Sequence, residues 1–250
     1  MATLCLLHTD MSKYKLQHHQ IIESALNNFD ADFFCVNNII FGGGTRIALE
    51  LDEYRESVDI DFLCPNKSSY RSVRGSVDNT QLNQLVNTEF EYVREIRSDR
   101  DAVRTVIKHA SENIKLEFVS FADYDLSFEY DKEKFAVPFL DKQSCFYTKL
   151  LANSDRKLQE PYKDIFDILA MYRVWGSIPG KAIESAEEYY SKRAIIPDLI
   201  KALQDIVEHQ DKYFKAAKNV KMKDVWANDL IKIQAAKLLE EMKIIIASRE

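Results

Sequence analysis

The segment from Phe41 to Phe62, FGGGTRIALELDEYRESVDIDF, constrains this chain more than any other. An apolar run over Phe33–Phe41 predicts a buried strand, three glycines end it, and a helix is predicted over Thr45–Leu51. Glycine lets a backbone approach a phosphate closely, and the start of a helix offers free N–H groups to an anion. The turn therefore predicts a phosphate-binding loop, although a plain tight turn between strand and helix fits the glycines equally well. The spacing of a P-loop is not present.

The second feature of this segment is the acidic pair Asp59 and Asp61, one residue apart on a predicted strand over Val58–Cys64. Alternate side chains of a strand share a face, so both carboxylates point the same way. The opposite face is predicted to enter the core through Val58, Ile60 and Phe62. Two converging carboxylates raise each other's proton affinity unless a cation lies between them, and hard oxygen ligands suit Mg²⁺ or Mn²⁺. The alternative is an exposed face of an amphipathic strand.

A third carboxylate is predicted from three further strand-like runs, over Glu89–Ile96, Ala102–His109 and Asn113–Phe121. Glu117 lies in the last of them, between the apolar Leu116 and Phe118. Its side chain could join the acidic pair on a neighbouring strand. An ordinary ion pair with Lys115, which shares its face, remains the alternative.

The predicted secondary structure changes near residue 140. Before it, the strands alternate with a first helix over Met11–Phe29 and a weakly helical stretch over Lys67–Val86. After it, the pattern is helical almost to the end, with helices predicted over 142–153, 163–175, 180–192, 198–216 and 222–248. We therefore expect an α+β protein with an α/β domain at 1–140 and a helical domain at 141–250.

Composition and charge narrow the function classes for these 250 residues. No apolar run reaches the roughly 20 residues that a membrane span needs, and no signal peptide is recognisable, so a cytoplasmic protein is expected. The net charge of −6 disfavours a surface wholly devoted to nucleic acid, but residues 209–250 hold 9 Lys and Arg against 6 Asp and Glu. That excess predicts either a solvated helical face or a surface for a phosphate-rich partner. The four cysteines lack metal-ligand spacing and are predicted to be reduced core residues: Cys5, Cys35, Cys64 and Cys145.

The glycine turn, helix and acidic strand resemble the nucleotidyltransferase superfamily, and more closely its AbiEii/AbiGii-type toxin family. The shared pattern is GGT-x9-R-x-S-x-D-x-D-F, carried here by Gly43, Gly44, Thr45, Arg55, Ser57, Asp59, Asp61 and Phe62. A later helical motif of the family is matched by Lys149, Arg156, Lys163, Asp164 and Asp167. The family usually has arginine where this chain has Lys163, and lysine keeps the charge but not the bidentate fork. A salt-bridge network between helices is the alternative for the later motif.

The resemblance implies a nucleotidyltransferase-fold mixed sheet with flanking helices, followed by a helical bundle, with the active site between them. Asp59, Asp61 and Glu117 would bind Mg²⁺ or Mn²⁺ and act in catalysis. The nucleotide would be bound by Gly43, Gly44, Thr45, Arg55, Ser57, Lys149 and Asp167. Lys149 would also neutralise the triphosphate in catalysis, and Asp164 would act near the acceptor hydroxyl.

The resemblance also implies the reaction and the partners. A nucleoside monophosphate would pass from a nucleoside triphosphate to a hydroxyl of RNA, tRNA in particular, or of protein. The chain would be a bacterial toxin with a cognate antitoxin. Two alternatives stay open: an antibiotic-type nucleotidyltransferase that modifies a small molecule, and a non-catalytic interaction module that keeps the fold.

Overall fold

A computed structural model of the chain describes residues 12–121 and 123–249. The strands are β1 (Ile40–Gly42), β2 (Asp59–Cys64), β3 (Glu91–Ser98), β4 (Ala102–His109), β5 (Glu112–Ser120), β6 (Phe128–Glu129) and β7 (Phe139–Leu140). The helices of the first half are α1 (Gln17–Leu26), α2 (Ala31–Asn37), α3 (Gly43–Glu50) and α4 (Lys67–Ser76), with a 3₁₀ turn at Asn83–Leu85. Those of the second half are α5 (Lys142–Arg156), α6 (Lys163–Trp175), α7 (Gly180–Tyr189), α8 (Ile195–Glu208), α9 (Gln210–Asn219), α10 (Asp224–Asp229) and α11 (Ala235–Ala247), with a π turn at Leu230–Gln234 between the last two.

The strands form one mixed sheet in the order β3-β4-β5-β2-β1-β7-β6. β2 lies near its middle, antiparallel to β1 and parallel to β5. The parallel register places Asp61 opposite Glu117 and Asp59 opposite Lys115. Strand neighbours on one face lie about 5 Å apart, so this register brings the predicted acidic residues to one side of the sheet. The predicted mixed sheet with flanking helices and a helical C-terminal region is confirmed.

Each face of the sheet is covered by its own apolar core. On one face, helices α1, α2 and α4 cover a cluster of aromatic rings, in which the register partners Phe62 and Phe118 stack with centroids 5.1 Å apart. On the other face, α3 and the C-terminal helices share a second core. Ile47 of α3 and Phe166 of α6 both belong to it. The division into domains at residue 140 stays a prediction, and this shared core is the contact between its two parts.

The sequence prediction for Phe33–Phe41 was wrong. Most of that run is helix α2, because Asp30 caps it by accepting a hydrogen bond from the Phe33 amide at 2.8 Å. Asn38 then ends the helix in the left-handed conformation with φ 52°. The buried strand is only Ile40–Gly42. Asp30 and Asn38 are residue types that commonly begin and end helices, but the prediction relied on the apolar run between them.

Other predicted elements need smaller corrections. The helix predicted over 198–216 is two helices that meet at His209, and the short strands β6 and β7 were not predicted. Val58 is 39% exposed and does not enter the core, whereas Ile60 and Phe62 are fully buried as predicted. The strands predicted over 89–96, 102–109 and 113–121 are confirmed as β3, β4 and β5, and their ends differ from the prediction by at most two residues.

The remaining sequence predictions concern cysteines and membranes. Cys64 and Cys145 are buried free thiols as predicted, and Cys35 is free but only half-buried. Cys5, and Met11 of the predicted first helix, lie outside the described residues. In the described part of the chain, no helix is both long enough and apolar enough to cross a membrane.

Candidate active site

A cleft of about 520 Å³ lies between β2 and β5 on one side and α5 and α6 on the other. Most of the predicted site residues line it: Gly43, Gly44, Arg55, Ser57, Asp59, Asp61, Glu117, Lys149 and Asp164. Thr45 and Asp167 lie behind its wall, with side chains that are 1% and 0% exposed. The two sequence motifs are more than 80 residues apart in the chain, so the fold itself brings them to one place.

The glycine turn is required by close contacts inside the protein. Gly43 has φ 69°, and a Cβ atom there would lie 2.2 Å from Oδ2 of Asp61. A Cβ atom on Gly44 would lie 2.3 Å from Nη2 of Arg55. Any larger residue would therefore displace the acidic pair or the arginine. Gly43 and Gly44, the first residues of α3, line the same cleft as the carboxylates.

Thr45 and Ser57 tie this turn to strand β2. The Thr45 hydroxyl is within hydrogen-bond distance of the Ser57 hydroxyl, at 2.8 Å, and of the Asp59 carbonyl oxygen. The Thr45 hydroxyl therefore holds β2 against α3 and does not face the cleft. Ser57 lines the cleft, so its hydroxyl is the one within reach of a ligand.

The acidic pair is the least compensated part of the cleft. Neither the Asp59 nor the Asp61 carboxylate accepts a hydrogen bond or an ion pair from any side chain in residues 12–121 and 123–249. Burial, together with the nearby Asp59 and Glu117 carboxylates, raises the pKa of Asp61 to about 6. An anionic pair of this kind is stabilised by a bound cation.

Glu117 is placed differently from the other two carboxylates. It lies opposite Asp61 in the sheet, but it accepts hydrogen bonds from Arg104 at 2.9 Å and from Lys115 at 2.8 Å. The ion pair with Lys115 that the sequence left open is therefore present. No three or more His, Cys, Asp and Glu side chains within the described ranges are grouped to hold a metal ion. The donor chemistry of Asp59 and Asp61 fits a divalent cation, and the role of Glu117 as third ligand stays a prediction.

Arg55 and Asp167 form a buried ion pair behind the glycine turn. Nε of Arg55 donates to Oδ1 of Asp167 at 2.9 Å, and Nη2 lies 2.8 Å from the same oxygen and 3.1 Å from Oδ2. The Tyr54 hydroxyl donates to this carboxylate as well. Arg55 is only 1% exposed, so its guanidinium is committed to Asp167. This pair fixes the loop before β2 against α6.

Lys149 lies between the two aspartates of the later motif. Its ammonium is 2.6 Å from Asp167 and 2.9 Å from Asp164, and Arg156 donates to Asp164 at 3.0 Å. Burial alone would raise the pKa of Asp164, but Lys149 and Arg156 hold it below its ordinary value. A carboxylate held in its ionised form is a weak proton acceptor, so this geometry favours Asp164 as a residue that positions Lys149. The salt-bridge network that the sequence left open is also observed.

A buried histidine that the sequence analysis did not single out supports the same loop. His19 on α1 is fully buried; its Nδ1 lies 3.0 Å from Glu53, and its Nε2 accepts a hydrogen bond from the Ser57 amide at 3.1 Å. Glu53 also accepts hydrogen bonds from the amides of Lys15 and Leu16. The only signal in the sequence was the histidine itself, because its partners lie more than 30 residues away.

A glycine turn followed by an acidic strand in a mixed sheet, with a cationic helix across the cleft, is the arrangement of a nucleotidyltransferase. The chain belongs to the family described as nucleotidyl transferase AbiEii toxin of type IV toxin–antitoxin systems, whose model matches residues 25–239. The chain is therefore an enzyme of the nucleotidyl-transfer class from a family of toxins, and the family implies a nucleoside triphosphate substrate and an antitoxin partner. No curated protein sequence matches the chain significantly.

Two crystal structures of Helicobacter pylori proteins are similar to the chain. One is a candidate nucleotidyltransferase, 15% identical with a TM-score of 0.55, and the match covers 94% of this chain and 99% of that one. The other is JHP933, 14% identical with a TM-score of 0.56, covering 94% and 97%. At these identities the likeness shows a shared fold.

Proposed function

We propose that the cleft transfers a nucleoside monophosphate from a nucleoside triphosphate to a hydroxyl of an acceptor RNA, and that the reaction depends on Mg²⁺ or Mn²⁺. The observation that carries this proposal is the acidic pair, Asp59 and Asp61, which lies beside the glycine turn and forms no ion pair with any side chain in the described part of the chain. The acceptor hydroxyl oxygen attacks the α-phosphorus and loses its proton to solvent, the bond from the α-phosphorus to the bridging oxygen of the β-phosphate breaks, and pyrophosphate leaves.

Each group of the cleft has a task in this reaction. A divalent cation bound by Asp59 and Asp61 would neutralise charge on the phosphate oxygens. The backbone N–H groups at the start of α3 would be donors for the triphosphate, because Gly43 and Gly44 line the cleft and the first N–H groups of a helix lack intrahelical partners. Lys149 is the buried cation of α5 that lines the cleft, and Asp164 and Asp167 hold it in place. Arg55 orients the loop instead of binding phosphate directly, because Asp167 occupies its guanidinium.

An RNA acceptor is supported by exposed cations at the mouth of the cleft. Arg156 and Lys115 both line the cleft and keep 56% and 51% of their side chains exposed. Lys215 and Lys218, in the basic C-terminal region, are also exposed. Binding of tRNA through these groups should weaken steeply with salt, since it releases counterions. A protein acceptor and a small-molecule acceptor are the competing outcomes of the same assay.

The test is transfer of label from α-³²P nucleoside triphosphates to total RNA and to protein, with and without Mg²⁺. We expect labelled RNA from wild type, and at least a hundredfold less from Asp59→Asn and Asp61→Asn. Asp32→Asn, a matched change at an exposed position on α2, should transfer normally. Mass spectrometry of the labelled product identifies the acceptor. Equal incorporation by wild type and Asp59→Asn would refute the mechanism.

A further inference from the structure

The cleft has a charged end and an apolar end, and the register of the sheet sets their separation. Asp61 pairs with Glu117 in the register of β2 and β5, and two residues further along the same face Leu63 pairs with Val119. A strand advances about 3.3 Å per residue, so the apolar pair lies about 7 Å from the acidic one. All four side chains line the same cleft.

The apolar end continues into a group of aromatic rings. Phe121 and Tyr124 line the cleft beyond Val119, with their ring centroids 4.5 Å apart. Tyr124 also neighbours Tyr147 of α5, whose ring centroid is 5.6 Å away at an interplanar angle of 29°, and Tyr189 of α7. Three rings therefore surround Tyr124, which is half-buried and lines the cleft.

Helix α5 adds two apolar side chains to this part of the cleft, Leu151 and Ala152. Asp155, one turn after Leu151, also lines the cleft and lies near Tyr124. Aromatic and aliphatic side chains are therefore concentrated at this end of the cleft, whereas Asp59, Asp61 and Glu117 lie at the other end. Planar heteroaromatic bases bind well to such surfaces, because base–aromatic stacking does not depend on a particular base sequence.

We propose that Phe121 and Tyr124 form the binding site for the base of the donor nucleoside triphosphate, with Tyr124 as the main stacking residue. This inference rests on the proposed function. The donor is favoured over the acceptor because the apolar end is continuous with the glycine turn and acidic pair, and a ribose with its α-phosphate spans a gap of this size. Burial raises the pKa of Tyr124, so its ring stays neutral in the ordinary pH range.

The test compares a ligand that has a base with one that has none. Calorimetry in Mg²⁺ would measure the binding of each nucleoside triphosphate and of inorganic tripolyphosphate to wild type and variants. Tyr124→Leu should weaken nucleoside triphosphate binding roughly 5- to 150-fold and leave tripolyphosphate binding unchanged. Tyr124→Phe keeps the ring and should bind both ligands as wild type does. Tyr130→Ala, an exposed tyrosine outside the cleft, is the matched control.

The outcomes separate this inference from the proposed function. Wild type that binds no triphosphate overturns both. If Tyr124→Leu binds nucleoside triphosphates as tightly as wild type does, the base site alone is overturned. Equal loss of nucleoside triphosphate and tripolyphosphate binding in Tyr124→Leu also counts against it, because that pattern indicates a disturbed fold. The same calorimetry with RNA as the ligand tests the acceptor. If Tyr124→Leu weakens only the binding of RNA, the rings bind the acceptor and the assignment to the donor is wrong.

Discussion

Removing the charge of Asp167 should destabilise the protein more than any change at an exposed ion pair. Asp167 is 0% exposed and contacts the guanidinium of Arg55, the ammonium of Lys149 and the hydroxyl of Tyr54. Asp167→Asn keeps the shape of the side chain but leaves Arg55 as a buried cation without a carboxylate. Breaking a buried pair in this way costs about 3–5 kcal/mol. For a chain of this length, Tm shifts by about 2 °C per kcal/mol, so a fall of about 6–10 °C is expected.

Thermal and urea unfolding of the purified chain would measure this effect. Glu91→Gln is the matched control, because Glu91 pairs with Lys108 on the surface, where both side chains are about half exposed or more. An exposed pair contributes about 0–1 kcal/mol, so the control should melt within about 2 °C of wild type. Arg55→Met combined with Asp167→Leu should lose less stability than the two single changes added together, because no charge remains unpaired.

Two results of these unfolding measurements would refute the proposed role of the Arg55–Asp167 pair. If Asp167→Asn changes the free energy of unfolding no more than Glu91→Gln does, the pair does not hold the loop against α6. Strict additivity of the Arg55 and Asp167 changes would likewise show that the two side chains do not depend on each other. The unfolding measurement needs no activity assay, so it tests the geometry separately from the proposed reaction.

Two further predictions follow from the turn and from the buried histidine. Gly43→Ala should lower nucleotidyl transfer at least tenfold, since its Cβ would lie 2.2 Å from Asp61, whereas Gly75→Ala, where a Cβ meets nothing within 4 Å, should transfer normally in the same assay. Burial lowers the pKa of His19 below 6.5, so below about pH 6.5 the unfolded state binds more protons than the folded state. Stability should therefore fall as pH falls from 6.5 through the lower folded pKa, and urea unfolding of His19→Gln should show a weaker dependence over that range.

The parts of the site that lie close together in sequence could be predicted from it. Gly43 and Asp61 are joined by one helix and one strand, and strand alternation fixes which side chains share a face. The structure places both in the cleft, and their roles there stay a prediction. The start of the same segment was misassigned because an apolar run of nine residues fits either a strand or a buried helix. The cap at Asp30 would have decided between them.

Contacts between distant residues could not be predicted in the same way. The sequence left a salt-bridge network open for the later motif, but it could not show that Arg55 pairs with a residue 112 positions away. Local periodicity shows on which face of its own helix or strand a residue lies, but it does not show which residue of another element that side chain contacts. For the same reason the aromatic end of the cleft was missed: Tyr124 follows β5 in a loop, and its neighbours come from α5 and α7.

The distribution of charge in the cleft predicts the order in which its ligands bind. Arg55 pairs with Asp167, Lys115 with Glu117, and Lys149 with both motif aspartates. Within residues 12–121 and 123–249, by contrast, Asp59 and Asp61 form an ion pair with no side chain. A bare triphosphate would meet two unpaired carboxylates and be repelled. We therefore expect tight binding only for the Mg²⁺–nucleotide complex. In calorimetry, the triphosphate in EDTA should bind at least tenfold more weakly than in Mg²⁺, and Asp61→Asn should narrow that difference by reducing the repulsion. If the triphosphate binds equally well in EDTA and in Mg²⁺, the protein's own cations are free to bind phosphate. That result would contradict the ion pairs that Arg55 and Lys149 form with aspartates.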